Sequence, residues 1–211
     1  METCVIFCAG EFDKLTEPIT EQDYILAADG GLRHLQRLGL TPGGIIGDFD
    51  SLGYVPENAQ VFPVEKDDTD SMLAVRQGLK LGFRRFILYG ALDGSRFDHA
   101  IANLQTLQFL ADHGAAGYLV GKRDTATVIK NSKITFPAAD GILSVFCMGA
   151  DAEGVSIRGL QYGLEKGTLT AGYPLGCSNH FIGKTAEISV ENGSILIIYP
   201  TEVGLPEVTP C

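Results

Sequence analysis

The pattern of hydrophobic residues in this chain changes near Lys122. Before that position, short apolar runs alternate with segments whose apolar residues recur every three or four positions. This alternation is typical of strands joined by helices, and so of a mostly parallel sheet with flanking helices. After Lys122, strand-like runs follow one another without a convincing helical period. We therefore predict an α/β N-terminal domain, residues 1–122, followed by an all-β, sandwich-like C-terminal domain, residues 123–211.

Candidate strands and helices alternate along the first part of the chain. The strands are expected at residues 4–8, 24–28, 44–47, 59–64, 85–89 and 117–120. The helices between them are expected to end at or near glycines 39, 82 and 114, because glycine readily adopts the left-handed conformation common after a helix. The inward faces of the second and third helices are marked by Met72, Val75 and Leu79, and by Ile101, Leu104 and Ala111.

The second part of the chain is read as strands throughout. They are expected at residues 125–129, 133–136, 141–148, 154–158, 167–171, 185–191 and 194–199. Asn192-Gly193 separates the last two of them and predicts a tight hairpin, since this dipeptide suits the turn that joins paired antiparallel strands. We expect residues 201–211 to form a coil.

Composition limits the partners and the compartment. The formal net charge is −10 and the sequence pI is about 4.8, which argues against nucleic acid as a partner because that recognition needs a basic surface. The start of the chain has no basic segment ahead of a long apolar run, so we expect neither a signal peptide nor a membrane span, and a cytoplasmic protein. The scattered cysteines predict neither a disulfide framework nor a zinc site.

Carboxylates follow successive candidate strands. Asp29 comes after the second strand, Gly47-Asp48-Phe49-Asp50-Ser51 after the third, and Lys66-Asp67-Asp68-Thr69-Asp70 after the fourth. Ligands of open α/β sheets bind at the carboxyl ends of the strands, and Mg²⁺ prefers carboxylate and phosphate oxygens. The pattern therefore predicts a site for Mg²⁺ and a nucleotide at this rim. Any one of these residues could instead cap a helix or fill a turn, but that reading does not explain why successive loops converge.

The loop from Gly90 to His99 is a candidate phosphate site. It leads into the N-terminus of the predicted third helix, where backbone N–H groups and the helix dipole favour anions. Arg96 adds a planar set of donors suited to phosphate oxygens. The glycines of the loop either let the backbone approach a ligand or serve only the turn.

Taken together, these residues resemble the thiamine pyrophosphokinase (thiamine diphosphokinase) family, in its bacterial form, over nearly the whole chain. The resemblance rests on blocks at residues 28–31 and 47–51, on residues 65–70, and on Arg96-Phe97-Asp98-His99 with Asn103 one turn later. In the second domain, residues 159–164 and Ser178-Asn179 stand where the family places its thiamine-contacting segment.

The resemblance implies transfer of a diphosphoryl group from ATP to the hydroxyl of thiamine, with release of AMP. It implies Mg²⁺ bound by Asp48, Asp50 and Asp70, with Asp50, Asp70 and Arg96 as the catalytic residues and either of the two carboxylates as acceptor of the hydroxyl proton. Tyr162, Ser178 and Asn179 would contact thiamine, in a site between the subunits of a homodimer. The nucleotide would be bound by Asp29, Gly30, Gly31, Ser51, Lys66, Thr69, Arg96, Asp98, His99 and Asn103.

The chain departs from the family pattern in places, and two other functions compete with the resemblance. Asp93 and Ser95 make the 90–99 loop unusual, and Tyr162 stands where some relatives have Trp. Asp48-Phe49-Asp50 imitates the Asp-x-Asp signature of haloacid-dehalogenase phosphatases, but Leu52 stands where that signature has Thr or Val. A non-catalytic sensor of nucleotide or thiamine is the second alternative.

Overall fold

The computed structural model describes residues 2–50, 52–63, 65 and 67–211, and it confirms an α/β N-terminal half. Its strands are β1 (Cys4–Phe7), β2 (Tyr24–Ala28), β3 (Gly44–Gly47), β4 (Gln60–Val61), β5 (Arg85–Tyr89) and β6 (Ala116–Val120). Its helices are α1 (Leu32–Leu38), α2 (Asp70–Lys80) and α3 (Phe97–Asp112), and a short 3₁₀ turn, Asp29–Gly31, precedes α1.

The second half consists of strands and a second 3₁₀ turn, Thr201–Val203. The strands are β7 (Asp124–Lys130), β8 (Ser132–Phe136), β9 (Ile142–Cys147), β10 (Ala152–Arg158), β11 (Leu164–Leu169), β12 (Gly176–His180), β13 (Ala186–Ser189), β14 (Ser194–Pro200) and β15 (Val208–Pro210). All residues beyond Lys122 are described, and none of them lies in an α-helix.

One large sheet runs through both halves of the chain. Its ten strands have the order β12-β9-β14-β7-β6-β5-β1-β2-β3-β4. The strands from β6 to β4 are parallel, as predicted, and the sheet continues past residue 122 because β7 pairs antiparallel with β6. The sheet therefore crosses the point at which the sequence pattern changes.

A second sheet completes the sandwich-like C-terminal half. Its five strands have the order β11-β10-β13-β8-β15. Apolar side chains from this sheet and from β9 and β14 of the large sheet form one buried core between the two layers, with Phe136 against Tyr199 at a ring-centroid distance of 4.9 Å. The large sheet therefore supplies one layer of the C-terminal sandwich and also the central sheet of the N-terminal half.

The helices cover the two faces of the parallel strands unequally. Helices α2 and α3 pack on one face, where Ala74, Val75, Leu107 and Leu110 are buried against strand residues. The opposite face carries α1 and the loop between β1 and β2, which buries Phe12. Helix α1 ends at Gly39, which has a left-handed φ of 67°, as its position after the last leucine predicts.

Two predictions made from the sequence are wrong, and one strand was not predicted. Asn192-Gly193 does not close a hairpin, because β13 pairs with β8 and β10 whereas β14 pairs with β7 and β9, in the other sheet. The turn instead carries the chain between layers, and Asn192 exchanges backbone hydrogen bonds with Glu153. The tail is not coil throughout, since β15 pairs with β8. The sequence reading also omitted β12, a short edge strand with a register shift beside β9.

The predicted inward faces of two helices are confirmed in part. Val75 is buried in the core, and Leu79, Leu104 and Ala111 pack against this core. In α3, Ile101 is exposed, whereas Asn103, Thr106, Leu107 and Leu110 are buried. In α2, the buried set is Ser71, Ala74, Val75 and Gly78. Both sets keep helical spacing, but each begins with a polar residue that a reading based on hydrophobicity passes over.

A separate finding concerns membranes: among the described residues, no helix is long and apolar enough to cross a bilayer.

Candidate active site

Three carboxylates meet where β2 and β3 end. One oxygen from each of Asp29, Asp48 and Asp50 lies within 4.8 Å of the others, a spacing that one cation can bridge. Asp29 follows β2, and the other two follow β3, so the parallel pairing of the strands brings them together. The donor set is all oxygen, which suits Mg²⁺. This acidic rim is the candidate metal site.

The backbone of the acidic rim adopts conformations that are rare for residues with a side chain. Asp29 has a φ of 45° and Phe49 a φ of 62°. Phe49 is nevertheless buried, and the carboxylate of Asp48 accepts a hydrogen bond from the backbone N–H of Asp50 at 3.3 Å. The buried ring anchors the turn, so that the acidic side chains on either side of it reach the rim. Strained backbone of this kind concentrates at functional sites.

Asp70 is not a member of the group of three carboxylates. It is the first residue of α2 and has one buried carboxylate oxygen. Burial raises the pKa of Cys8 to about 12, and the negative charge of Asp70 is the second cause of that rise. The structure thus joins Asp29 to Asp48 and Asp50 and leaves Asp70 outside that group.

The loop between β5 and α3 is fixed by its neighbours. The N–H of Gly10 donates to the carbonyl of Gly90 at 2.9 Å, and the carboxylate of Asp93 accepts from the N–H of Lys122 at 2.6 Å. A Cβ on Gly90 would lie 2.6 Å from the carbonyl oxygen of Gly10, so this glycine is required by the contact between loops. Asp93, which departs from the family pattern, therefore has a structural role.

Arg96 and Asp98 form an exposed ion pair at the N-terminus of α3. The Nε and Nη2 atoms of Arg96 donate to the two carboxylate oxygens of Asp98 at 3.0 and 2.7 Å. These hydrogen bonds lower the pKa of Asp98 to about 2 and raise the pKa of Arg96. The side chain of His99 is exposed at the same helix end. A planar guanidinium at a helix N-terminus is a suitable anion site.

Two predicted nucleotide-binding residues make intramolecular contacts. Thr69 caps α2, since its Oγ1 accepts from the N–H of Met72 at 3.2 Å; its contact with the nucleotide stays a prediction. Asn103 is buried; its Nδ2 donates to the carbonyl of Ala91 at 2.7 Å and its Oδ1 accepts from Ser71 Oγ at 2.6 Å. Its side-chain amide therefore holds parts of the protein together.

The remaining predicted nucleotide-binding residues are glycines or lie outside the described residues. Gly30 and Gly31 are buried in the 3₁₀ turn, and a Cβ on Gly31 would lie 1.8 Å from the carbonyl oxygen of Phe7, so the contact with β1 accounts for this glycine. Ser51 and Lys66 lie outside the described residues, and their predicted roles remain predictions from the sequence.

The predicted thiamine residues lie near one another at the edge of the C-terminal half. Tyr162 is 62% exposed. Asn179, on β12, is buried; its Nδ2 donates to the carbonyl of Tyr162 at 2.7 Å, and its Oδ1 accepts from the N–H of Tyr162 at 3.0 Å. Ser178 is exposed, and its N–H donates to Ser144 Oγ at 3.0 Å. Asn179 thus holds the backbone that presents the ring of Tyr162.

Sequence reasoning missed the role of Ser71. Its hydroxyl is buried between Thr69 and Asn103, in contact with both. A signal was present, because Ser71 and Asn103 each stand at the first position of a buried i, i+3, i+4, i+7 set. Two polar residues at matching places on neighbouring inward faces indicate a buried hydrogen-bonded contact.

Comparison with known proteins connects this arrangement to one family. The model of the thiamin pyrophosphokinase catalytic domain matches residues 15–118, and that of the thiamin pyrophosphokinase vitamin B1 binding domain matches residues 131–195. A curated relative, the thiamine pyrophosphokinase of Bacillus subtilis strain 168, is 24% identical over 89% of this chain and 92% of its own length.

Solved structures show the same fold. The crystal structure of thiamine pyrophosphokinase from Bacillus subtilis superposes with a TM-score of 0.82 at 21% identity, over 95% of this chain and 99% of the other. That of a thiamin pyrophosphokinase family protein from Enterococcus faecalis has a TM-score of 0.76 at 25% identity, over 94% and 98% of the two chains. Two family models cover most of the sequence in the expected order, and the fold agrees over almost its full length. The chain belongs to the thiamin pyrophosphokinase family.

Proposed function

We propose that this protein is a thiamine diphosphokinase, which transfers a diphosphoryl group from ATP to the hydroxyl of thiamine and releases AMP. The observation that carries the proposal is the group formed by Asp29, Asp48 and Asp50 at the carboxyl ends of neighbouring strands. It lies in a half of the chain that matches the catalytic domain of this family, and the other half matches the vitamin B1 binding domain.

The residues at the acidic rim fit a magnesium ion. Asp48 and Asp50, with Asp29, would hold it, and Asp70, at the start of α2, would take part through the bound nucleotide or its waters. Bound there, Mg²⁺ would neutralise negative charge on the phosphate oxygens of ATP. Asp50 and Asp70 are the two candidates for accepting the proton of the thiamine hydroxyl. The clustering of carboxylate oxygens supports the assignment of Mg²⁺ to the acidic rim.

Arg96 would bind the phosphates of ATP from the side of α3. In the free protein its guanidinium is occupied by Asp98, and a phosphate that enters would compete with this carboxylate for the same donors. The exchange requires little rearrangement because both partners are exposed at the surface. Asp98 would then retain Arg96 near the site between turnovers, with His99 beside it. By the family resemblance, Lys66 and Ser51 would also contact the nucleotide.

Thiamine would bind at the surface that carries Tyr162. The thiazolium ring is cationic and the pyrimidine aromatic, and an exposed tyrosine ring offers a favourable face to either. Ser178 adds an exposed hydroxyl nearby, and Asn179 fixes the segment that carries the ring. Such a pairing of an aromatic face with a few placed polar groups is typical of small-molecule sites.

A homodimer would complete this site between subunits. Five large apolar side chains are exposed on and around β9 and β12 and in the segments on either side of β11, which supports a contact surface there. They are Ile142, Tyr162, Tyr173, Leu175 and Ile182. We also place the enzyme in the cytoplasm, because the five cysteines are free in the structure, as is usual in a reducing compartment.

Incubation of the protein with Mg-ATP and thiamine tests the proposal. We expect AMP and thiamine diphosphate in equal amounts by chromatography, and neither product when EDTA replaces Mg²⁺. Release of inorganic phosphate through a trapped aspartyl-phosphate would point to a phosphatase. Tight binding of both substrates without AMP would point to a sensor.

A further inference from the structure

A buried chain of hydrogen bonds connects the start of α2 with the start of the 90–99 loop. Asn103 Nδ2 donates to the carbonyl of Ala91 at 2.7 Å, and Asn103 Oδ1 accepts from Ser71 Oγ at 2.6 Å. Ser71 Oγ lies 3.0 Å from Thr69 Oγ1, which accepts from the N–H of Met72 at 3.2 Å. Asn103 and Ser71 are 6% and 8% exposed, so the chain is largely protected from water.

The direction of every hydrogen bond in this chain is determined. A carbonyl can only accept, so the amide nitrogen of Asn103 must face Ala91 and its oxygen must face Ser71. The single proton of Ser71 is then used, and Thr69 must donate to Ser71 while accepting from Met72. Each group has one role, and removal of any member leaves a buried neighbour without its partner.

The chain connects two parts of the proposed active site. Ser71 follows Asp70 directly on α2, and the carbonyl held by Asn103 belongs to Ala91, which opens the loop that ends at Arg96. Asn103 itself lies on α3, two turns after Arg96. Sheet pairing fixes the strands beneath these segments, but it does not fix the loops above their ends.

We propose that Ser71 and Asn103 are positioning residues that hold the Asp70 end of α2 and the Arg96 loop at a fixed separation. The proposal rests on the proposed function, in which Asp70 and Arg96 act on the same nucleotide. It assigns Asn103 to the support of the site and not to contact with ATP. Group transfer depends steeply on geometry, since a displacement of about 1 Å can reduce the rate by roughly a hundred-fold.

The test compares Ser71→Ala, Asn103→Leu and the double variant with Thr106→Val as a matched control. Thr106 is buried on the same helix, one turn after Asn103, but its hydroxyl bonds only to the carbonyl of Ala102 in its own helix among the described residues. The measurements are kcat and KM for each substrate well below the unfolding temperature, and amide hydrogen exchange over residues 90–95. Ser71→Ala is the milder change, and it keeps the test informative if Asn103→Leu fails to fold.

We expect Ser71→Ala to lower kcat by about ten-fold or more, with KM for thiamine unchanged, and to speed exchange in the loop. The double variant should be no slower than the slower single variant, because one broken link already disconnects the chain. Thr106→Val should keep kcat and loop exchange near wild type.

The proposal is overturned if Ser71→Ala keeps the wild-type kcat, or if Thr106→Val loses as much activity. If wild-type protein produces no AMP from ATP and thiamine, the proposed function fails separately. Loop exchange then decides the positioning role by itself, and unchanged exchange over residues 90–95 in Ser71→Ala would refute it.

Discussion

At the scale of single residues, the acidic rim depends on a balance between backbone strain and burial. The left-handed conformations of Asp29 and Phe49 each cost about 1–3 kcal/mol. Burying a phenylalanine side chain contributes about 1.5–3 kcal/mol, so the 3% exposed ring of Phe49 offsets the strain of its own turn. The burial of Phe49 therefore explains why an aromatic residue stands between the two aspartates.

Replacement of Asp50 by Asn tests the metal role. Loss of one of three clustered carboxylates should lower kcat by roughly a hundred-fold or more, since a lost charge-stabilising group typically costs that much. The unfolding temperature should stay the same or rise, because repulsion within the rim decreases. Kinetics across a Mg²⁺ titration and a thermal melt provide the measurements. Asp140→Asn, an exposed aspartate of the C-terminal half, is the control, and a wild-type rate for Asp50→Asn at saturating Mg²⁺ would exclude the role.

Arg96→Lys tests the phosphate role. Lysine keeps the charge but loses the planar donors that bind phosphate in a bidentate manner. We therefore expect kcat to fall by about ten-fold or more, which corresponds to a loss of about 1–2 kcal/mol. Arg158→Lys is a matched control, since Arg158 also makes an exposed pair with a carboxylate, that of Glu165. Equal rates for the wild-type enzyme and the Arg96→Lys variant in steady-state assays would reduce Arg96 to a general source of positive charge.

The same ion pair predicts a pH dependence. The pKa of Asp98 is lowered to about 2, so the stabilisation from the pair is present above the ordinary pKa near 3.8 and is lost as the pH falls toward about 2. At neutral pH the pair is therefore intact. In Arg96→Ala the pKa of Asp98 should rise toward its ordinary value, which an NMR titration of the carboxyl carbon measures. An unchanged titration would contradict the pairing.

At the scale of elements, β12 and the turn before β11 form one unit through Asn179. Asn179→Ala removes both hydrogen bonds to the backbone of Tyr162, so it should raise KM for thiamine much more than KM for ATP, as should Tyr162→Ala. Tyr162→Phe should resemble wild type because the ring remains. The control is Asn131→Gly, which loses a comparable hydrogen bond to the N–H of Gly193. Equal changes in KM for both substrates would argue against thiamine at this surface.

The elements also show what a sequence can predict. Strands β2, β3 and β5 lie where their apolar runs predict, because buried parallel strands are nearly continuous in hydrophobicity. The burial of Ser71 on α2 and Asn103 on α3 was not predicted, because the two side chains satisfy each other inside the core through a tertiary contact. Strand β12 was missed because its sequence, Gly176–His180, is small and polar and its pairing depends on β9.

The candidate site was predicted unevenly for a similar reason. Asp48 and Asp50 are close in sequence, so their meeting is a local property, and the parallel order of β2 and β3 adds Asp29. That Asp70 stands apart from the three, and that Thr69 caps α2, depends on where α2 begins, which the sequence defines only to within a residue or two.

At the scale of the whole molecule, the proposed site between subunits makes activity depend on concentration. Dilution below the dissociation constant of the dimer should abolish product formation, because thiamine would then contact an incomplete site. Specific activity and sedimentation measured across the same dilution series provide the check. Full activity in a sample shown to be monomeric would place both substrates within one chain.

The continuous ten-stranded sheet limits how this chain can be divided or recombined. Strands β6 and β7 are adjacent in it, and the hydroxyl of Thr127 donates to the carbonyl of Gly117 across that junction at 2.8 Å. A cut at residue 122 that separates the halves would leave β6 in one fragment and β7 in the other with an unpaired edge, and unpaired strand edges promote aggregation. A chimaera that takes its second half from a relative must therefore preserve the strand register between Tyr118 and Thr127, so the two halves have to evolve as a matched pair and not as exchangeable modules.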